Sequence, residues 1–221
     1  MGLGIDWTTD WIRRTAQVVS EHRVELVTLD REIGDGDHGE NLDRGFSAVI
    51  GKLDSLPDDA VPGDALKLVA TTLISTVGGA SGPLLGTAYL KGAAAVGKEA
   101  ELDGPAVVAF LTAARDGVVL RGKAEPGDKT MIDAWTPAVE AAGAAEADGA
   151  SPAEILAAAA TAAEKGAVAT EPLVARKGRA SYLGERAIGH RDPGAQSSSL
   201  ILRAAADAAA DSADGAGGGA A

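Results

Sequence analysis

The chain has 221 residues, 20 Lys+Arg against 32 Asp+Glu, a formal net charge of −12 and no cysteine. That length suits one large domain or two small ones at roughly 100–200 residues each. The missing Cys excludes a disulfide framework, a thiolate zinc site and a cysteine nucleophile, and fits a reducing cytoplasm. The acidic balance speaks against direct nucleic-acid binding, which draws on clustered Lys and Arg.

Hydrophobic residues make up 46% of the chain but aromatics only 3%, and Ala supplies half of the rest. Ala is the best helix former and a poor strand former, so the composition predicts an all-α protein with small side chains at its helix contacts. The opening MGLGIDWTTDWIRR lacks the basic flank and apolar core of a secretory leader and the hydroxyl at position 6 of a myristoylation signal. The most apolar tract, Ile155 to Ala163 between Glu154 and Glu164, falls short of the about 20 residues of a membrane span.

In chain order, Trp7, Trp11, Ile12, Ala16, Val18 and Val19 predict a helix over 6–21. Trp7 and Trp11, four apart, share one face as a core contact. A second helix runs from Glu21 to Ile33 and stops at Ile33-Gly-Asp-Gly-Asp-His-Gly39. A third starts near Asp37 and carries Leu42, Phe46, Val49, Ile50 and Leu53. Further helical stretches cover 65–77, 84–96, 106–120 and 131–147, and an Ala-rich one runs from 152 to about 174. The last covers about 195–210, and residues 211–221 read as a disordered Ala/Gly/Asp tail. Residues 1–210 are thus expected to form a single all-α domain of about eight helices, with its function in the connecting segments.

The acidic segment is the most informative. Asp30 lies in the last turn of its helix, and Asp35 and Asp37 follow in a loop loosened by Gly34, Gly36 and Gly39. Three carboxylates so close repel one another, and one near a helix C-terminus also opposes the dipole; a hard divalent cation relieves both. An EF-hand is excluded, because counting from Asp35 the places for Gly and Glu hold Glu40 and Phe46. Magnesium suits better, since it leaves positions for water and phosphate. Asp37 with Glu40 also matches a capping box, which would account for Asp37 but not for Asp30 and Asp35.

Gly78-Gly-Ala-Ser-Gly82 leads into a helix and reads either as an anion cradle or as a tight packing turn. Gly122-Lys-Ala-Glu-Pro-Gly-Asp-Lys-Thr130 misses a Walker phosphate loop by one residue, because Asp128 intrudes before Lys129. A Walker-type NTPase is therefore rejected, and a lid over a bound group remains open. From Arg176 to Gly194 positive charge is concentrated on an acidic background, for phosphate oxygens or for surface salt bridges. Of the three histidines, only His38 is embedded in a candidate site.

Together these segments resemble the nucleotide-binding L subunits of dihydroxyacetone kinase, the DhaL family. The resemblance rests on Gly34-Asp-Gly-Asp-His-Gly39, Gly78-Gly-Ala-Ser-Gly82, Arg121-Gly-Lys-Ala-Glu-Pro-Gly-Asp-Lys-Thr130, Gly178-Arg-Ala-Ser-Tyr-Leu-Gly-Glu-Arg186 and Asp192-Pro-Gly194, in that order and reaching about residue 210. Leu85 stands where relatives often carry an aromatic, and the tail is private to this chain. The resemblance implies a barrel of eight antiparallel helices with an ADP/ATP site in the loops at one end. It implies that Asp30, Asp35 and Asp37 hold two Mg²⁺ ions, with His38, Gly39, Asn41, Gly79, Ala80 and Ser81 around the nucleotide. It carries Gly122, Thr130 and Met131 over as lid and base pocket, and places Arg179, Asp192, Pro193 and Gly194 on the other side. No residue is expected to serve as an acid, base or nucleophile, since phosphoryl transfer asks mainly for position and charge neutralisation.

The implied partners are a K subunit holding dihydroxyacetone and a phosphotransferase-system M subunit that rephosphorylates bound ADP. A transcription regulator and a homodimer complete the set, with no membrane or nucleic acid. The alternatives are an ATP-dependent kinase of this or a related substrate with exchangeable nucleotide, and a nucleotide-state-dependent regulatory module.

Overall fold

The computed structural model describes residues 2–217. It contains nine α-helices: α1 (Ile5–Glu21), α2 (Arg23–Ile33), α3 (His38–Leu53), α4 (Pro62–Thr76), α5 (Ser81–Val96), α6 (Gly104–Gly122), α7 (Ile132–Ala147), α8 (Pro152–Ala169) and α9 (Pro193–Gly217). A 3₁₀ segment at Arg179–Ala187 lies between α8 and α9. Among the described residues the only strand-like pairing is the isolated bridge between Leu3 and Leu102. The chain is therefore all-α, as its composition predicts.

The nine helices make an eight-membered barrel because two of them join at His22. His22 donates its N–H to Val18 (3.0 Å) and accepts from Leu26 (2.9 Å), so α1 and α2 form one kinked rod. Each rod packs against the next in the chain, and α9 packs back on α1, which closes a barrel. Two indoles make that closure. Trp7 Nε1 donates to the Ala205 carbonyl (3.1 Å) and Trp11 Nε1 to that of Ile201 (2.9 Å). Trp7 stacks on Trp11 with centroids 5.3 Å apart, and Trp11 meets Phe110 edge-on at 5.6 Å. A barrel so poor in aromatics concentrates them where its ends meet.

Elsewhere small residues set the contacts. Ala138, Ala142, Ala159, Ala160, Ala163 and Ala167 are buried between α7 and α8. Gly166 faces the Asp133 carbonyl so closely that a Cβ would collide with it. That carbonyl lacks its usual helical donor because Pro137, four residues on, has no N–H.

The starts of α4, α5, α6 and α9 lie two or three residues earlier than hydrophobic periodicity predicts. Pro62, Pro105, Pro152 and Pro193 occupy first-turn positions, where a missing N–H costs nothing. At the other end α8 stops at Ala169, short of the expected 174. The last helix continues to Gly217, so residues 211–217 are helical where a tail is expected; 218–221 lie outside the described residues.

Candidate functional site

In an up-and-down barrel every second loop falls at the same end. The α2–α3, α4–α5, α6–α7 and α8–α9 loops accordingly enclose a single cleft with two connected parts. One, about 180 Å³, carries the polar side chains Asp30, Asp35, Asp37, His38, Arg179 and Asp192 on its border. The other, about 450 Å³, is bordered by the apolar Pro83, Leu84, Val118, Ala124, Met131 and Ile132. Gly79, Ala80, Thr130, Lys177 and Gly178 border both.

One carboxylate oxygen from each of Asp30, Asp35 and Asp37 lies within 4.8 Å of the other two. Asp30 is buried, at the end of α2, and its Oδ2 accepts the N–H groups of Asp37 (2.8 Å) and His38 (3.1 Å). It thereby caps α3 from outside. Asp37 stands at the N-cap of α3 but makes no side-chain cap bond, so the capping-box reading of Asp37 gives way to Asp30. Both oxygens of Asp37 remain available to a ligand.

Burial holds the Asp30 carboxyl above its ordinary pKa; the two backbone N–H groups pull it down, and Asp35 and Asp37 push it further up. Such a hard, all-oxygen donor set under mutual repulsion fits a divalent cation. Arg179 reaches across the mouth to Asp35, with Nη2 2.9 Å from Oδ2.

His38 is buried with Nε2 2.9 Å from Ser197 Oγ. Burial pushes its pKa down to about 4, against the Pro193 backbone and the Asp35 charge, so it is neutral near pH 7. Asp192 caps α9 by accepting the Ala195 N–H (2.7 Å) and donates its own N–H to Thr170 Oγ1 (2.9 Å). Burial pushes the Asp192 carboxyl up to about 7; the Ala195 bond lowers it and Asp133 raises it.

Across the cleft, Gly79 turns the chain with φ +66°, a region open to glycine at little cost. Ala80 and Ser81 follow at the start of α5, where unpartnered first-turn N–H groups and the helix dipole favour an anion.

The α6–α7 loop is a pinned wall. Asp133 accepts the N–H groups of Gly127 (2.5 Å) and Thr130 (2.7 Å), and Asp128 that of Glu125 (2.9 Å). The Asp128 carbonyl also accepts the Arg176 N–H at 3.0 Å. Lys129, one residue beyond the place a phosphate-loop lysine would take, turns inward and donates to backbone carbonyls.

Most of the expected site residues border the cleft: Asp30, Asp35, Asp37, His38, Gly79, Ala80, Ser81, Thr130, Met131, Arg179, Asp192, Pro193 and Gly194 in the polar part, and Gly122 in the apolar part. Gly39 and Asn41 sit behind it. Gly39 packs against Arg23 and Val27, while Asn41 lies beneath Gly78 and accepts from Arg44 Nη2 at 2.6 Å. Sequence reasoning passed over Lys177 and Gly178, although both lie in the basic stretch beside Arg179. Leu84 was visible only as an ordinary helix position.

Fold and cleft together define a class: an all-α domain that sets a cluster of three carboxylates and a helix N-terminus beside an apolar slot. Residues 32–207 match the DAK2 domain family. The chain is 45% identical over 209 residues to the Escherichia coli protein named PEP-dependent dihydroxyacetone kinase, ADP-binding subunit DhaL, covering 95% of this chain and 99% of that one. It is 40% identical to the Lactococcus lactis PTS-dependent dihydroxyacetone kinase, ADP-binding subunit DhaL, over 90% of this chain and 95% of the relative. The chain belongs to the DhaL family of DAK2-domain proteins. Among solved structures, the native dihydroxyacetone kinase of C. freundii superposes with a TM-score of 0.69 at 25% identity, over 90% of this chain and 34% of that one. Its complex with AMP-PNP and Mg²⁺ gives 0.66 at 26% identity, over 89% of this chain and 33% of that one. This chain thus spans about a third of those solved chains.

Proposed function

We propose that this chain is the ADP/ATP-binding subunit of a dihydroxyacetone kinase, working with separate subunits that hold the substrate and recharge the nucleotide. The observation that carries the reading is the convergence of Asp30, Asp35 and Asp37 next to an apolar slot large enough for a base. The relatives matched over nearly their whole length are named ADP-binding subunits of PEP- or PTS-dependent kinases. That favours ADP which stays bound and is rephosphorylated in place by a phosphotransferase M subunit, over an ATP-dependent enzyme with exchangeable nucleotide.

Asp30, Asp35 and Asp37 would hold Mg²⁺, two ions in this reading, and Mg²⁺ supplies charge neutralisation to the phosphate oxygens. The chain's own residues orient the nucleotide. Gly79 to Ser81 present backbone N–H groups and a hydroxyl to phosphate, while Leu84, Met131 and Ile132 exclude water around the base. Neutral His38 and Asp192–Gly194 form the inner wall. No side chain serves as nucleophile or general base, because the acceptor hydroxyl arrives on a K subunit that faces the open end.

Protein purified without added nucleotide is expected to release one ADP per chain on acid denaturation; an empty chain favours the exchangeable-nucleotide reading. Asp35→Ala is expected to abolish Mg-ADP binding by isothermal titration, and unchanged affinity would contradict the carboxylate assignment. Reconstitution with K and M subunits, run with phosphoenolpyruvate or with ATP, identifies the donor. Docking of a transcription regulator according to nucleotide state, and a homodimer, rest on the family resemblance; sedimentation with ADP and with ATP tests both.

A further inference from the structure

Lys129 is 1% exposed, yet its side chain ends in an amino group; burial pushes its pKa down, while the Asp192 and Glu171 charges push it up. Its Nζ lies within hydrogen-bonding distance of four main-chain carbonyls, Thr170 (2.9 Å), Glu171 (3.3 Å), Leu173 (3.1 Å) and Ala187 (2.7 Å), which share its three N–H groups. Its backbone sits at φ +63°, a region that a residue with a Cβ occupies only when its surroundings hold it there. The first three carbonyls belong to the turn that follows α8, at the negative end of that helix. The fourth closes the 3₁₀ segment. A single cation therefore grips both ends of the excursion 170–188.

That excursion brings Lys177, Gly178 and Arg179 to the cleft. It has little packing of its own: Ala175, Ala180 and Ala187 form a small buried cluster with Ile33. Its other ties to the body include the Arg179–Asp35 pair at 2.9 Å and the Asp192 N–H to Thr170 Oγ1 bond at 2.9 Å. Arg176 N–H reaches the Asp128 carbonyl at 3.0 Å, and Gly189 N–H reaches that of Glu171 at 2.8 Å. Arg191 bonds Glu171 at 2.8 Å. Of these ties only the Lys129 amino group is fully buried; the Arg191–Glu171 and Arg179–Asp35 ion pairs are partly exposed, where solvent screening weakens them.

We infer that Lys129 is a positioning residue for the nucleotide site: its ammonium is the clasp that holds the 170–188 loop closed beside the nucleotide, and through that loop it sets how long ADP stays bound. The inference rests on the nucleotide-binding reading for its second half only. The state of the loop is a property of the protein without ligand. Lys129 touches no reacting group; it acts through Lys177 to Arg179.

The test compares the full-length wild type with Lys129→Met and Lys129→Cys. Because the chain has no cysteine, Lys129→Cys alkylated with 2-bromoethylamine in denaturant and refolded regains an ammonium at nearly the original reach. Hydrogen exchange followed by mass spectrometry reads the loop without nucleotide, and stopped-flow release of a fluorescent ADP with Mg²⁺ reads residence time. In Lys129→Met the 171–188 amides are expected to exchange about tenfold faster or more, with α4 and α5 unchanged. ADP release should accelerate by about tenfold, and alkylated Lys129→Cys should return both readouts towards wild type.

Wild-type protection of the loop in Lys129→Met overturns the clasp. A loosened loop with unchanged ADP release overturns the positioning role. If only the alkylated protein folds, the ammonium supports the whole barrel and a loop-specific clasp is refuted. Should wild type bind no Mg-ADP, the functional reading fails, while exchange in the ligand-free protein still decides the clasp.

Discussion

Asp30 and Asp37 point into the same cleft but do different work, and removing each in turn separates binding from folding. With oxygens within 4.8 Å, two carboxylates in a water-like medium repel by about 0.9 kcal/mol. Asp37 takes part in two such pairs and makes no cap bond, so Asp37→Ala is expected to stabilise the ligand-free barrel by about 1 kcal/mol. Asp30→Ala relieves similar repulsion but strips the partner from the N–H groups of Asp37 and His38. Losing that cap and stranding two donors costs about 2–4 kcal/mol, which leaves a net loss of about 1 kcal/mol or more. Urea unfolding in EDTA without nucleotide measures both signs. Repeated with Mg-ADP at a hundred times its Kd, wild type should gain about 2.7 kcal/mol and neither variant should gain anything. If both substitutions shift ligand-free stability in the same direction, the assignment of the cap to Asp30 is wrong.

Three further outcomes follow from the same geometry. Asp192, raised to about 7, binds its proton more tightly when folded, so its stabilising contribution is present below pH 3.8 and lost as pH rises through 7. His38, lowered to about 4 from 6.5, has the opposite slope between those values, so only the difference between Asp192→Asn and wild type isolates Asp192. That difference should grow in favour of the variant from pH 5 to 8, and a flat curve in urea titrations sinks the assignment. Trp11→Ala removes the ring that meets Trp7, Tyr89 and Phe110 and the bond to Ile201; about 3–5 kcal/mol of lost stability is expected, read as a lower urea midpoint. Lys177→Gln removes a cation that borders both parts of the cleft. It should weaken Mg-ADP about tenfold by calorimetry and leave the ligand-free melting temperature unchanged, whereas equal affinity removes Lys177 from the site.

Much of this was legible along the chain. Ala content and 3.6-residue periodicity give the helices, because burying one stripe per helix is a local pattern. The triad is legible because its three acids fall within eight residues, and the Gly-rich turn because glycine takes φ +66° at Gly79 at little cost. Helix starts were read late where Pro and Gly replace apolar markers, as at Pro62 and Ser81. Gly39 and Asn41 belong to the right segments but lie behind the cleft, since adjacent residues of a helix face different directions.

Sequence by itself determined the helical class, the position of most helices, the acidic cluster and the order of the loops, since each depends on neighbours a few residues apart. Tertiary structure decided which aspartate caps α3, which loops share an end, and where the Lys129 ammonium goes. Those outcomes turn on partners brought close only when the barrel shuts: Asp30 seven residues before Asp37 across a turn, and Lys129 with a carbonyl 58 residues away. A charged group settles where the most dipoles converge, and that place exists only once the helices are packed.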